Sequence, residues 1–251
     1  MEVHAHTHTA PASGGTGRKK WTHYFWKFFM LFLAVFCGFL AENQWEHFVE
    51  HQREKQFIRS FIEDLKLDTA SISNNLLLKS NKIRTLDSLI QYVNDADPNQ
   101  HSQMIYFWAR QLTRTNRFLS SDRTIKQLKN SGGLRLIRNQ QVSDSIMAYD
   151  ENIERFYYYQ NRQTDEVLVV SPLMGKLLNA NVLETMIVGQ AIQRPPGNPP
   201  LRSVDKELIL DFLYDVHQLK TSDVFLITTL QRLKERATTT IQFLKKEYHL
   251  E

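Results

Sequence analysis

The sequence predicts an all-α protein, with one N-terminal transmembrane helix followed by an elongated antiparallel helical bundle of long, coiled-coil-like helices. Three observations carry that reading. The stretch from Trp21 to Ala41 is an almost uninterrupted apolar block. Most of the remaining chain repeats its apolar residues at alternating steps of three and four, the period of a helix that packs along a seam. Nine Gly and seven Pro in 251 residues are few and clustered, so helices can run far before anything breaks them. Only Val167 to Val170 reads as β-like.

Composition removes several classes. A hydrophobic content of 42% supports a real core and excludes wholesale disorder. The single Cys excludes an internal disulfide framework. Lys and Arg total 31 against 27 acids, but Glu2, Arg18, Lys19, Lys20 and Lys27 account for three of the four surplus charges. The basic excess is therefore one short cluster beside the apolar block, and no nucleic-acid partner is expected.

Residues 1–20 read as a disordered tail: small, polar and without an apolar period. His4, His6 and His8 within it could hold a metal ion, though an unstructured tail with incidental affinity is the simpler reading. Residues 21–41 read as the span. At 1.5 Å per residue they cover roughly 30 Å, the hydrocarbon thickness of a bilayer. Lys27 lies close enough to the edge to reach headgroups along its stem, and Trp21, Tyr24, Trp26 and Trp45 are the amphipathic rings expected as interfacial anchors. A cleaved signal peptide would need a small-residue cleavage site, whereas the block ends in Phe39-Leu40-Ala41-Glu42 and continues into a helical pattern. Basic residues precede the span, and Glu42, Glu46 and Glu50 follow it. The positive-inside rule then keeps the N-terminus cytoplasmic and places residues 42–251 in the periplasm of a Gram-negative cell, as a single-pass inner-membrane protein. Ala34, Cys37, Gly38 and Ala41 share one side of the helix and form a candidate packing face for a second membrane helix.

From Ile58 the ladder Ile58, Ile62, Leu65, Thr69, Ile72, Leu76, Lys79, Ile83, Leu86, Ile90 and Val93 keeps a 3.5-residue repeat for about five heptads. No Pro or Gly lies between Gly38 and Pro98, so span and ladder could form one rod of ~110 Å, shortened by a bend near Asn43 or Ser71 to Asn75. Asp95 to Asn99 ends it, because a residue before Pro leaves the helical region. A medium helix is expected from His101 to Leu119 with Arg110, Arg114 and Arg117 on its flank, then a short one capped within Ser120-Ser121-Asp122 and stopped at Ser131-Gly132-Gly133. A second long helix starts near Ser143 with Val142, Ile146, Tyr149, Ile153, Phe156, Gln160 and Val167 as its stripe, until Pro172 breaks or kinks it. RPPGNPP at 194–200 is an exposed, stiff loop. Ser203 caps a last helix of ~45 residues, which the ladder from Ile209 through Asp223 to Tyr248 lays antiparallel to the first.

The segments FMLFLAVFCGFLAEN, REKQFIRSFIEDLKLD and TIKQLKNSGGLRLIRNQQVSDSIMAYDENIE resemble a family of single-span membrane proteins common in Bacteroidota. The resemblance covers residues 24–68 and 124–154, and its mid-chain mark is Ser131, Gly132, Leu134 to Ile137 and Asn139. It implies an inner-membrane protein of such a bacterium. No activity is established for that family, so it assigns no catalytic residue.

The sequence offers no chemistry of its own. His47-Phe48-Val49-Glu50-His51 has the spacing of an inverted zinc-peptidase motif but lacks the mixed α/β surroundings such enzymes need. Catalytic residues, metal and cofactors are all expected to be none. Phe156, Tyr157, Tyr158 and Tyr159 point in every helical direction, so some must meet solvent or a partner, and they are the partner-contact candidates. The arginine trio could bind an anion but fits a solvated face as well. The expected role is a non-enzymatic structural or scaffold subunit in contact with the lipid bilayer, forming a homo-oligomer or part of a larger membrane complex. The alternative is a periplasmic ligand-sensing bundle that acts through a partner.

Overall fold

The structure is a computed structural model and describes residues 17–250. It is 79% helical, which makes it all-α. Among the described residues six α-helices follow one another: α1 Gly17–Val93, α2 Ser102–Ala109, α3 Arg123–Asn130, α4 Gln140–Leu177, α5 Ala180–Thr185 and α6 Lys206–Glu247. Between α5 and α6 the strands β1 (Ile187–Val188) and β2 (Ala191–Ile192) pair antiparallel, with Gly189 at φ 61° in the turn. The chain divides into two compact units, Met1–Arg53 and Glu54–Glu251.

In the first unit every described side chain from Trp21 to Glu46 is exposed. Among the described residues, α1 is the one helix long and apolar enough to cross a membrane. Its most apolar 18-residue window has a mean hydropathy of 1.9 and no buried residue. The helix starts at Gly17, four residues before the expected edge of the span, and the compact unit that follows starts at Glu54, twelve residues after the expected boundary. His4, His6 and His8 lie outside the described residues.

The second unit packs three long helices around one axis. Lys79 donates to Gln163 and Asp68 accepts from Tyr149, so α1 and α4 run in the same direction. Lys79 also donates to Asp223, and Tyr248 donates to Glu54, so α6 runs opposite to α1, as its ladder predicts. The interior is two apolar clusters. One gathers Ile58, Leu65, Ile72, Phe118, Ile146, Phe156, Leu230 and Leu244. The other gathers Leu86, Val93, Ile105, Leu112, Val167, Phe212 and Leu219.

Several boundaries differ from the sequence reading, each for a physical reason. The expected helix from His101 to Leu119 stops at Ala109. The amide of Gln160 takes both the N–H and the carbonyl of Phe118, at 2.8 and 3.1 Å, Tyr157 Oη takes Ser120 N–H, and Asp68 takes Ser121 N–H. Side chains from α1 and α4 thereby occupy backbone groups that a longer helix would bond internally. Helix α4 begins at Gln140, because Asn139 accepts from Gln141 N–H and caps it. It passes through Pro172 to Leu177. Pro172 is exposed, so the carbonyl it deprives of a donor can turn to water. Val167 to Val170 lies inside α4 with Val167 and Val170 buried. Asp205, not Ser203, caps α6 by accepting from Leu208 N–H; Ser203 Oγ instead accepts from Asp205 N–H. The predicted stop after α3 is present, with Gly132 at φ 66°, a left-handed position that suits Gly. The proline loop is pinned to α2 and its preceding turn: Tyr106 Oη donates to Pro200 O at 3.0 Å, Gln103 to Pro195 O at 2.8 Å, and Leu201 N–H to Asn99 at 2.9 Å.

Candidate functional site

Three features carry the chemistry of the molecule: an exposed apolar helix face, a carboxylate clasp and a buried charged layer.

On the apolar stretch of α1, Phe28, Phe32 and Phe36 stack at i,i+4 spacing with centroids 6.5 and 5.9 Å apart. At 100° per residue this Phe ladder and the small face Ala34, Cys37, Gly38 and Ala41 lie on opposite sides of the helix. All four small residues are exposed, and nothing lies within 4 Å of where a Cβ on Gly38 would sit. Another backbone therefore has room to approach there. Trp21, Tyr24, Trp26, Lys27 and Trp45 are also exposed. Trp26 meets Phe29 edge-on at 6.0 Å, and Trp45 meets Phe48 at 5.9 Å.

The four candidate contact aromatics separate. Phe156 is wholly buried and meets Phe118 edge-on, so it is a core residue with no surface to offer a partner. Tyr157 is half-buried and holds Ser120, while Tyr159 is half-buried and meets Phe225 edge-on at 4.7 Å. Tyr158, 65% exposed, is the one whose ring lies open. The arginine trio does not converge: Arg110 donates to Leu183 O and Arg117 to Asn161, and Arg114 is exposed. His47 Nδ1 is 3.8 Å from Glu50, and among the described residues no cluster of three or more His, Cys, Asp or Glu could hold a metal ion.

The clasp is built by Asp64 and Asp68, one turn apart on α1. Asp64 accepts from Thr124 N–H at 3.0 Å and from the Arg123 guanidinium at 2.7 Å, so the start of α3 is capped from another helix rather than by Asp122. Asp68 accepts from Ser121 N–H at 2.6 Å and from Tyr149 Oη at 2.7 Å. Burial pushes the Asp68 carboxyl above its usual range and the nearby Asp64 adds to this, while the two hydrogen bonds oppose it. Burial, followed by the charge of Asp68, pushes the Tyr149 phenol well up, so it stays a donor. At the end of the bundle Tyr248 donates to Glu54 at 2.6 Å, and Glu54 also accepts from Arg138 N–H at 2.9 Å.

The charged layer separates the two apolar clusters. Lys79 Nζ donates to Asp223 Oδ1 at 2.9 Å and to Gln163 Oε1 at 3.1 Å, and all three side chains are almost wholly buried. Lys82 Nζ stands 3.5 Å from Asp223 Oδ2, an ion-pair distance too long for a good hydrogen bond. Burial lowers the Lys82 ammonium below its ordinary value, partly offset by Asp223 and reinforced by Lys79. Ser222 donates to Glu166 at 2.8 Å on the edge of the layer.

Four of the eleven expected rungs of the α1 ladder yield the inward position to the residue before them. The expected rungs Thr69, Leu76, Ile83 and Ile90 are half-buried, and Asp68, Asn75 and Leu89 take the buried positions, with Lys82 largely covered beside them. Hydrophobicity passes over Asp68 and Lys82 because their charged ends meet partners elsewhere in the chain, Tyr149 and Ser121 for Asp68 and Asp223 for Lys82. The available signal was the presence of Lys79, Gln160 and Asp223 at ladder positions, polar rungs on three different helices.

No family model matches the chain, and neither the curated proteins nor the solved structures include one similar to it.

Proposed function

We propose that this protein is a membrane-anchored structural or scaffold subunit, not an enzyme, whose helical bundle assembles with copies of itself or with a larger envelope complex. The observation that carries the reading is the contrast along α1: an apolar window with no buried residue precedes a stretch whose apolar side chains pack within the bundle. A helix apolar on every side is solvated by lipid or by other helices, not by water. Residues 21–41 then span the inner membrane of a Bacteroidota-type cell with the N-terminus cytoplasmic, as the basic residues before them favour. The small face at Ala34, Cys37, Gly38 and Ala41 supplies the membrane contact to a second helix; the bundle's seams are filled within the chain, so its own partner contacts fall on exposed side chains such as Tyr158. The space beside Asp64 and Asp68 is about 10 Å³, room for no more than a water.

A ligand-sensing bundle acting through a partner is the second reading. It is favoured by the open groove between α4 and α6, lined by Arg162, Asp165, Glu166, Val169, Asp215 and Gln218. Burial, then the neighbouring Asp211, raises the Asp215 carboxyl.

Mass photometry of the detergent-solubilised full chain, with crosslinking in intact membranes, tests the first reading. Discrete oligomers or fixed-ratio co-purifying subunits are expected, and a lone monomer in both assays would contradict it. Ligand-specific thermal stabilisation lost on Asp215→Lys would favour the second reading instead.

A further inference from the structure

We infer that the buried Lys79–Asp223 pair is a register lock, which fixes the axial position of α6 against α1 where the apolar seams alone would allow more than one.

The ambiguity is visible in the seams. Along α1 the buried positions Ile58, Leu65, Ile72, Lys79, Leu86 and Val93 recur every seven residues, and along α6 so do Val216, Asp223, Leu230, Ala237 and Leu244. Sliding one helix past the other by seven residues returns apolar rungs to apolar rungs, so burial alone discriminates weakly between registers. Each series has one charged rung. In the observed register the two charges meet at 2.9 Å. A slip of one heptad in either direction sets Lys79 against Val216 or Leu230, and Asp223 against Leu86 or Ile72. Every such pairing strands a charge in an apolar interior, which costs far more than the pair itself contributes.

The surroundings make the lock selective. The Lys82 side chain is 14% exposed and can follow a displaced carboxylate, but that of Lys79 is 3% exposed and has no route to water. Gln163 accepts from Lys79 at 3.1 Å and ties α4 to the same level. The layer also lies between the two apolar clusters, so it marks the one height at which neither cluster dictates the alignment. One other buried contact holds the same register: Tyr248, just past the end of α6, donates to Glu54 at 2.6 Å, so every chain in the test below also carries Tyr248→Phe. The remaining cross-helix contacts discriminate less. The Asp87–Lys220 ion pair is partly exposed, and the Tyr159–Phe225 contact lies at the half-exposed rim, where solvent can replace what a slip removes.

The test uses the full chain with Cys37→Ser and spin labels at Ala70→Cys and His217→Cys, both exposed sites on α1 and α6. Double electron–electron resonance on the parent should give one distance. Lys79→Met with Asp223→Leu should add a second population, displaced along the helix axis by about 10 Å, seven residues of helical rise. The charge-swapped pair Lys79→Asp with Asp223→Lys should return the distribution to one distance. A folded apolar variant with a single unshifted distance would overturn the lock, as would two distances in the swapped pair. If circular dichroism shows that the apolar pair does not fold, Asp223→Asn provides the same comparison: a second distance is expected, and a single native one overturns the proposal.

Discussion

Two stretches of α1 put apolar side chains to opposite uses. From Trp21 to Glu46 they point outward on all sides, and the Phe ladder and the small-residue face are equally bare. From Ile58 to Val93 they are gathered into one seam against α4 and α6, and the outward positions are mostly polar, with Leu67, Ala70 and Leu77 as exceptions. The difference teaches that angular distribution, more than apolar content, decides which solvent a helix is built for. Charge is also distributed differently: from Phe28 to Ala41 the outward-facing stretch carries none. Lys79 and Asp223 lie buried but paired, whereas a charge at the middle of the outward-facing stretch would have no partner within the described chain.

The contrast can be broken from either side. The largest effect is expected inside the bundle: Asp223→Ala leaves Lys79 buried without its counter-ion and should cost about 3–5 kcal/mol, read as a lowered midpoint in denaturant unfolding. Phe156→Ala belongs to the same range, because it empties a wholly buried ring position. On the outward-facing stretch, Leu33→Arg should reduce membrane insertion by about 2.5–3.5 kcal/mol, seen as protein released by alkaline extraction. The identical change at the exposed Leu67 should leave both insertion and stability almost unaltered. Asp64→Ala removes a cap and a charge-assisted bond from the start of α3 and should cost about 1–2 kcal/mol.

A smaller effect concerns pH. The Asp68 carboxyl is raised above 3.8, so ionising it costs more in the folded chain than in the unfolded one. Its contribution to stability is therefore fully present below pH 3.8 and is lost as pH rises through the folded value. Asp68→Asn should flatten that part of the stability–pH curve, measured by thermal unfolding between pH 3 and 7. The smallest change is Tyr158→Ser, at an open ring position, with a shift under about 0.5 kcal/mol in the bundle's own stability.

Much of this was legible in the sequence. The apolar block, the stop at Gly132, the antiparallel first and last helices, and the stripe from Val142 to Val167 follow from period and turn chemistry. What escaped was set by partners distant in the chain. Past Ala109 the chain makes short turns as far as Arg114, and Gln160, Tyr157 and Asp68 hold the backbone of Phe118 to Ser121 out of a helix; no local propensity at 110–121 records those distant partners. Asp68 occupies a rung that a hydrophobicity pattern assigns to its neighbour Thr69, because Ser121 and Tyr149 hold its carboxylate. Phe156 looks like its three tyrosine neighbours in sequence, and only the packing of α4 on the Phe118 segment separates it from them.

The sole thiol gives the most direct check on the lipid-facing assignment. In intact membranes Cys37 should resist a charged, membrane-impermeant maleimide until the bilayer is dissolved, while Leu67→Cys in a Cys37→Ser background should react at once. Equal labelling of the two sites before solubilisation would mean that the outward apolar stretch is bathed in water, and the account of α1 as an anchor would be wrong.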